Sequence, residues 1–503
     1  MTDLQAATAA PLTDLRDAAA GALARQLSPR YLEEHCLLPL GFDADGMLLL
    51  AVSAEPDPTV LDELQRFFQR PVRVVLHAVG EIRAALLTAE RDAAPADINA
   101  IAQDAGDEQP LDDLRALAEQ EPVIRLVNVT LLDALRAGAS DVHVEPLANE
   151  LRVRYRLDGV LREMTRIGRQ YQAAMTSRIK IMAGLDIAER RVPQDGRIRL
   201  RLAERDVDLR VSTLPGLHGE SIVLRLLDQG TATPALRALG MPDGVREQFE
   251  KLVGRTGGLL LVTGPTGSGK TTTLYAALAR LNTAAVKIVT VEDPIEYRID
   301  GVTQVPVNVR AGMGFAAALR SILRHDPDII MVGELRDAET ATIAIQASLT
   351  GHLVLSTLHT TDAVGAVTRL VDMGVEPYLV AATMQGALAQ RLVRVLCDAC
   401  AAPRAATAQE RAQWGTEPAT PRTATGCAAC ANSGYRGRRG IYELFTPDEA
   451  ARADIVAGVS PDILRASAQR QGCVSLRDEG WRLVRDGVTT PEELVRALGE
   501  SDR

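Results

Sequence analysis

Phenylalanine, tyrosine and tryptophan together make up only 3% of this 503-residue chain. Its cores must therefore be filled by aliphatic side chains, which the 46% hydrophobic content supplies, and it offers no series of rings on which nucleic-acid bases could stack. Positive charge is also short. The formal net charge is −10 and the isoelectric point is near 5.4, unlike the basic footprint of a dedicated nucleic-acid binder. No apolar stretch reaches the roughly 18 to 20 residues that a membrane span needs. The N-terminus, MTDLQAATAAPLTDLRDAAAG, lacks a positive segment followed by an apolar core, so no secretion signal is expected. These absences leave a soluble cytoplasmic protein as the expectation, and the length suggests about three or four domains.

Cysteines are few and unevenly placed. Cys36 and Cys473 stand alone and read as small buried hydrophobes, while Cys397, Cys400, Cys427 and Cys430 form two C-x-x-C pairs separated by 26 residues. Four thiolates in two short knuckles suit a closed, structural Zn²⁺ site. Two disulfides are the alternative, disfavoured in a reducing cytosol.

The most informative segment is LLLVTGPTGSGKTTT at 259–273. An apolar run breaks into a glycine-rich loop of the form G-x-x-x-x-G-K-[ST], and a helix-like run follows. Glycines let the backbone curl so that its N–H groups face phosphate oxygens. Gly264, Pro265, Thr266, Gly267, Ser268, Gly269, Lys270, Thr271 and Thr272 are the expected nucleotide contacts. Lys270 would reach the β- and γ-phosphates and the Thr271 hydroxyl would hold Mg²⁺. The plain alternative, a glycine turn that binds nothing, fits the strand–loop–helix context poorly, so ATP binding is expected.

Downstream, HDPDIIMVGELRD (325–337) is an apolar strand that ends in Gly333 and Glu334. A carboxylate there can polarise water or hold the metal through its shell; a solvent-facing cap is the bland reading. KIVTVEDPIEY (287–297) likewise ends in Glu292, Asp293 and Glu296, and TGHLVLSTLHTTDA (350–363) has His352 and His359 at the two ends of a strand. On spacing alone, strand capping and packed histidines explain both clusters as well as catalysis does.

Organisation follows composition. An α/β-like segment covers about 22–90, with strands at 47–53 and 72–78 around a helix at 59–68. Residues 91–119 hold eight acids against two arginines, with Pro95, Gly106 and Pro110, and read as an acidic linker. From 120 to 230 a helix precedes alternating strands. In LRVRYRL (151–157) the apolar residues face one way and Arg152, Arg154 and Arg156 the other, while 197–202 and 206–211 predict a hairpin. Most arginines here read as solvated strand faces. After a hinge at about 231–241, strands and helices alternate from 242 onward, predicting a parallel sheet covered by helices on both faces.

Taken in order, SDVHVEP (140–146), YRLDG (155–159), VPQDGRI (192–198), LRVSTLPGLHGE (209–220), the phosphate loop, the acidic VEDPIE box, LRSILRHDPDIIMVGELRD, the histidine box, AQRLVRVLC (389–397) and GYRGRRGIYELF (434–445) resemble the secretion ATPases. Within them the match is to the assembly ATPase of the type II secretion system, the GspE family. It covers about 120–503 strongly and 22–90 weakly, and Gly333-Glu334 is itself the family's pattern.

The resemblance implies an α/β fold: a RecA-like P-loop ATPase domain (242–503) with a zinc-binding insertion (397–430), a PAS-like α+β second domain (120–230), and a small N-terminal α/β domain (1–90). It implies that Glu292, Glu296 and Glu334 surround the γ-phosphate and that His359, with His352 as a weaker candidate, senses or positions it. Arg210, Arg225, Arg320, Arg324, Arg336 and Arg369 match the family's phosphate-contacting and intersubunit arginines. It further implies a homo-hexamer using ATP, Mg²⁺ and Zn²⁺ to drive pseudopilus assembly and protein export. The N-terminal domain would dock on a GspL-like inner-membrane protein, with a GspF-like platform protein as a further partner. The type IV pilus extension ATPase shares many of these boxes, but SILRHDPD and AQRLVRVLC favour secretion. A nucleic-acid-translocating ring ATPase is disfavoured by the acidic charge and the missing stacking rings.

Overall fold

In a computed structural model, described residues comprise scattered positions between 15 and 36, then 37–43, 45–53, 56, 58–82 and 85, and finally 117–499 except 119, 203–204, 229–233 and 415–418. The acidic stretch at 91–116 and part of the expected hinge lie outside them.

The first unit is a three-stranded sheet, order β1-β2-β3, formed by β1 (Leu37–Phe42), β2 (Leu48–Val52) and β3 (Val72–Leu76), with helix α1 (Pro58–Phe68) crossing between the last two. β2 and β3 run parallel, as a helical crossover requires. β1 was not anticipated. It carries Pro39 and Gly41, and its register slips between them, which an edge strand tolerates because it has a ladder on one side only.

The second unit begins with α2 (Glu121–Arg136), followed by β4 (Asp141–Pro146), β5 (Glu150–Leu157), β6 (Val160–Gly168), α3 (Gln172–Met182), β7 (Gln194–Leu202), β8 (Arg205–Gly216) and β9 (Gly219–Asp228). The six strands form an antiparallel sheet of order β6-β5-β4-β9-β8-β7, and the expected β7–β8 hairpin pairs along its length. Alternation in β5 does what the pattern predicts. Leu151, Val153 and Tyr155 are buried against Val127 and Leu131 of α2 and Met175 and Ile179 of α3. On the opposite face Arg152 and Arg154 pair with Glu145, and Arg156 approaches Asp141 at 3.6 Å.

The third unit opens with α4 (Asp243–Val253), β10 (Gly258–Thr263), α5 (Lys270–Leu281), β11 (Ile288–Glu292), β12 (Thr303–Pro306), α6 (Phe315–Ile322), β13 (Ile329–Val332), α7 (Ala338–Leu349) and β14 (Leu353–Leu358). It continues with α8 (Gly365–Asp372), α9 (Pro377–Thr383), β15 (Met384–Leu396), the short β16 (Ala402–Pro403), α10 (Ala408–Trp414) and β17 (Arg422–Thr423), then β18 (Tyr435–Phe445) and helices α11 (Glu449–Val456), α12 (Pro461–Arg470), α13 (Leu476–Arg485) and α14 (Pro491–Leu498). The sheet order is β12-β11-β13-β14-β10-β15-β18. β10 and β14 are buried throughout because helices cover both faces, which is why they read as continuous apolar runs. Leu259 and Leu261 face α6–α9 and the C-terminal helices, whereas Leu260 and Val262 face α4 and α5. The parallel strands expected from the sequence are β10, β11, β13 and β14; β18, which was not among them, runs antiparallel to β15 at the edge. These two long strands are joined by the cysteine-bearing insertion, so no crossover helix forces them parallel.

Among the described residues, hydrogen bonds join the second and third units at two places. Gly437 N–H donates to Asp158 Oδ2 (3.0 Å) and Arg162 Nη1 to Ala431 O (2.9 Å), which docks the β5–β6 turn on the cysteine insertion. Arg210 Nη2 donates to Ile295 O (3.3 Å), which sets β8 over the acidic box.

Candidate active site

The glycine loop leaves the carboxyl end of β10, an inner strand flanked by β14 and β15, and feeds α5. Gly264 (φ +149°) and Gly269 (φ +88°) both have backbones that side chains disfavour. A Cβ at Gly264 would stand 2.4 Å from Gln390 O, and one at Gly269 would stand 2.8 Å from Gln390 Nε2. The loop is thus packed on β15 while Pro265, Thr266 and Gly267 remain exposed. Ser268 Oγ is buried without a partner among the described residues, a cost that an acceptor arriving in the loop would remove. Lys270 folds over the loop, donating to Gly264 O (2.7 Å) and Pro265 O (3.0 Å). Burial pushes its ammonium down to about 8, with Glu334 opposing and Arg391 reinforcing that fall.

Glu334 follows β13 and is held by its neighbours' backbone. Gly333 N–H donates to Val291 O (2.8 Å), Leu335 N–H to Thr357 O (3.1 Å), and Thr357 Oγ1 to Gly333 O (2.7 Å). Asp337 then caps α7 by accepting from Thr340 N–H (2.8 Å). So fixed, the Glu334 carboxylate lies between Arg336 (2.5 Å) and His359 Nε2 (3.6 Å). Burial and then the Lys270 charge lower the His359 pKa, while Glu334 pulls the other way. Lys270, Glu334, Arg336 and His359 therefore share one electrostatic neighbourhood.

In the second unit, strand register aligns Arg156, Asp141, Arg225, Arg210 and Arg197 on successive strands β5, β4, β9, β8 and β7. Arg225 is paired with Asp141 (2.9 Å). Among the described residues, Arg210 and Arg197 have no carboxylate so close. The Arg210 pKa falls through burial first, with Arg197 and Arg225 adding to the fall and Glu296 opposing it. Three guanidiniums opposed on adjacent strands repel one another. They line a cleft of about 480 Å³ whose other wall includes Asp293 and Pro294 of the acidic box.

The four paired cysteines form a separate cluster, with their sulfurs all within 4.8 Å of one another. The separations of 4.0 Å (Cys397–Cys427), 3.8 Å (Cys400–Cys430) and 3.7 Å (Cys427–Cys430) are far too long for S–S bonds. They match the edge of about 3.8 Å expected of a tetrahedron with Zn–S bonds of about 2.3 Å. N–H groups of Cys427 (3.2 Å) and Gly434 (3.1 Å) point at Cys430 Sγ, as suits a thiolate. The donor set fits a zinc ion.

Comparison with known proteins decides the family. The family model described as "Type II/IV secretion system protein" matches residues 116–496. The chain belongs to the type II/IV secretion system protein family. A second model, the MshEN domain, matches residues 9–95. The chain is similar to "Type II secretion system protein E" of Pseudomonas aeruginosa, at 48% identity over 509 residues, 98% of this chain and 99% of that protein. It is 50% identical over 393 residues to "Type II secretion system ATPase E" of Vibrio cholerae serotype O1, covering 78% of each. Among solved structures, the pilus retraction motor PilT with bound ADP matches at 26% identity with a TM-score of 0.51, covering 75% of this chain and 98% of that one. The balance of identity favours a type II secretion ATPase over a pilus ATPase.

Within this secretion ATPase the structure brings together only part of the residue set expected from the sequence. Glu292 shares none of the partners of Glu334: it is 2% exposed, accepting from Tyr275 OH, from Thr290 Oγ1 (2.6 Å) and from Gln304 Nε2 (3.2 Å). None of these partners belongs to the glycine loop. Glu296 is half-buried, near Arg210. His352 sits at the amino end of β14, the edge opposite the loop, where Nδ1 bonds Ala347 O (2.9 Å) and Thr350 Oγ1 (3.1 Å); it caps α7. Arg320 pairs with Glu339, and Arg324 donates to Arg320 O (2.9 Å) and Ser321 Oγ (3.3 Å). Both lie on exposed faces, as does Arg369. Three residues were missed. Gln390 and Arg391 lie inside the quoted AQRLVRVLC and press on the loop; Arg197 lies in VPQDGRI, and its strand register is the signal that finds it.

Proposed function

We propose that this secretion ATPase is a Mg²⁺-dependent ATP hydrolase that works as a homo-hexameric ring and powers pseudopilus assembly and protein export. The observation that carries this reading is the convergence of Lys270, Glu334, Arg336 and His359 beside the glycine loop, with Arg197, Arg210 and Arg225 lining a cleft that reaches the acidic box. In it, Gly264 to Thr272 cradle the phosphates and Lys270 neutralises the β/γ charge. Glu334 takes a proton from the attacking water. His359, kept neutral by its surroundings, orients that water or the γ-phosphate. Thr271 would hold Mg²⁺, which when bound screens the phosphate charge.

The arginines of β7, β8 and β9 grip phosphate oxygens when the second unit closes, since a planar guanidinium bridges two oxygens as lysine cannot. Arg320, Arg324 and Arg369 are exposed and so suited to reach a neighbouring subunit's nucleotide. Glu296 lies on the acidic box near Arg210 and tunes that closure. Zn²⁺ on Cys397, Cys400, Cys427 and Cys430 staples the insertion. The relatives' type II names support docking of the N-terminal unit on an inner-membrane protein, which would bring a cytoplasmic ring to the membrane. Phosphate release by the assembled full-length ring in Mg²⁺ tests the reading: wild type should turn over and Lys270→Ala should not. Equal release by the two would overturn it.

A further inference from the structure

Two carboxylates connect the C-terminal helices to the loop that carries His359, and catalysis as described above uses neither. Glu443, near the end of β18, is buried. Its Oε1 accepts from Ala363 N–H (2.9 Å), four residues after His359, and its Oε2 accepts from Leu476 N–H (3.1 Å), the first residue of α13. Burial holds its carboxyl above the usual range, although both backbone donors favour the charged form. A buried acid is a costly way to fill a core that an apolar side chain could fill. What it supplies is one group that fixes two separate chain segments at a set spacing.

Asp362 is the second link. Its Oδ1 accepts from Gly365 N–H (2.6 Å) at the start of α8, and its Oδ2 accepts from Arg465 Nε of α12 (2.7 Å). The other side of the same loop is tied to the nucleotide cradle. Thr360 N–H donates to Thr263 Oγ1 (2.9 Å), the two threonine hydroxyls bond at 2.6 Å, and the buried Arg391 donates to Thr361 O (2.7 Å). Residues 359–363 therefore hang between the glycine loop and helices α12 and α13.

We propose that Asp362 and Glu443, with Arg465, are positioning residues that make α12 and α13 part of the catalytic apparatus by fixing the loop on which His359 stands. The proposal rests on the hydrolase reading above. A shift of these two helices, by whatever docks on them, changes the reach of His359 toward Glu334 and hence turnover, more than it changes nucleotide binding by a cradle also anchored on β10 and β15.

Arg465 tests it best because it is half exposed and its removal leaves the core intact. Steady-state kinetics and thermal melting of the assembled full-length protein are expected to show about a tenfold fall in kcat for Arg465→Ala, with KM within about twofold and the melting temperature nearly unchanged. Arg465→Lys should recover most of the loss. In a double-mutant cycle, Arg465→Ala should add nothing to His359→Ala. An unchanged kcat, additive losses in the cycle, or a loss that follows a lower melting temperature or a broken ring would overturn the proposal. If wild type and Lys270→Ala release phosphate equally, the hydrolase reading itself fails first.

Discussion

His359 Nε2 lies 3.6 Å from Glu334 Oε2, while Arg336 holds the other oxygen of that carboxylate. The pairing ties a group at the end of β14 to one just beyond β13, across the strand gap that the γ-phosphate would face. Replacing the carboxylate by an amide keeps shape and most contacts but removes the proposed base. Glu334→Gln is expected to lower kcat by roughly 10² or more while ATP affinity stays within about threefold. Single-turnover hydrolysis beside equilibrium binding would check this; loss of binding as well would make Glu334 a structural residue.

Lys270 should make nucleotide binding pH-dependent. Its ammonium is pushed down to about 8 by burial, so the charged form that attracts phosphate dominates at pH 7 and is mostly lost at pH 9. Affinity for ATP should fall about tenfold between those values, as read by titration of a fluorescent ATP analogue at constant ionic strength. The sign for stability is opposite. Below about pH 8 folded and unfolded chains both carry this proton, and the native state bears the full cost of a buried charge. Between about 8 and the ordinary lysine value the unfolded chain binds more protons, so this group's contribution to nucleotide-free stability rises with pH. A flat binding profile from pH 7 to 9 would contradict the burial argument.

What could be read from the sequence divides along physical lines. The segments β10, β13 and β14 are apolar runs covered on both faces and bounded by glycine or charged residues, so Glu334 and His359 could be placed at strand ends, and Lys270 after the loop that follows β10, from spacing alone. The alternation of β5 was equally plain because one of its faces is buried. β1 was hidden by Pro39 and Gly41. β15 and β18 carry arginines along strands buried on both faces in one half only, which breaks any single period. Side-chain direction was harder still: Glu292 and Glu334 both end apolar strands, yet one turns inward to Tyr275 and the other toward Lys270. Arg197 joins Arg210 only through β7–β8 register, a relation no local pattern contains.

Glu292 gives a discriminating test of that difference. Three polar groups on α5, β11 and β12 converge on its carboxylate. Glu292→Ala would leave the Tyr275 and Thr290 hydroxyls without their acceptor in a buried site, while Gln304 Nε2 keeps Tyr297 O (3.2 Å), at a cost of about 2 kcal/mol or more. Denaturant melts should show that loss. Glu296→Gln, at a half-buried position, should melt like wild type and change only turnover.

The arginine row predicts effects on affinity without loss of fold. Arg197, Arg210 and Arg225 oppose one another on adjacent strands, so removing one charge relieves repulsion of up to about 1 kcal/mol in the free protein. Arg210→Ala should therefore melt no lower than wild type, yet lose about tenfold or more in kcat/KM. Arg210→Lys should not restore it, because the planar fork is lost. Arg197→Ala should weaken ATP binding in the same direction, and an unchanged affinity would remove Arg197 from the site.

The cysteine insertion should report on the second unit as well as on itself. Arg162 donates to Ala431 O, directly after Cys430, and Asp158 takes the N–H of Gly437 nearby. These anchor points are held in place by the thiolate cluster, with Cys397 N–H on Gly434 O (2.9 Å) as an additional tie. Cys400→Ser leaves three sulfurs, too few for a closed structural site. Metal analysis should fall from about one zinc per chain toward zero. Limited proteolysis should then open 397–434 first and the junction between the second and third units next. The glycine loop is tied to β14 and β15 rather than to the knuckles, so ATP affinity should stay within about threefold. Nucleotide binding that collapses together with zinc would show that the metal supports the cradle itself.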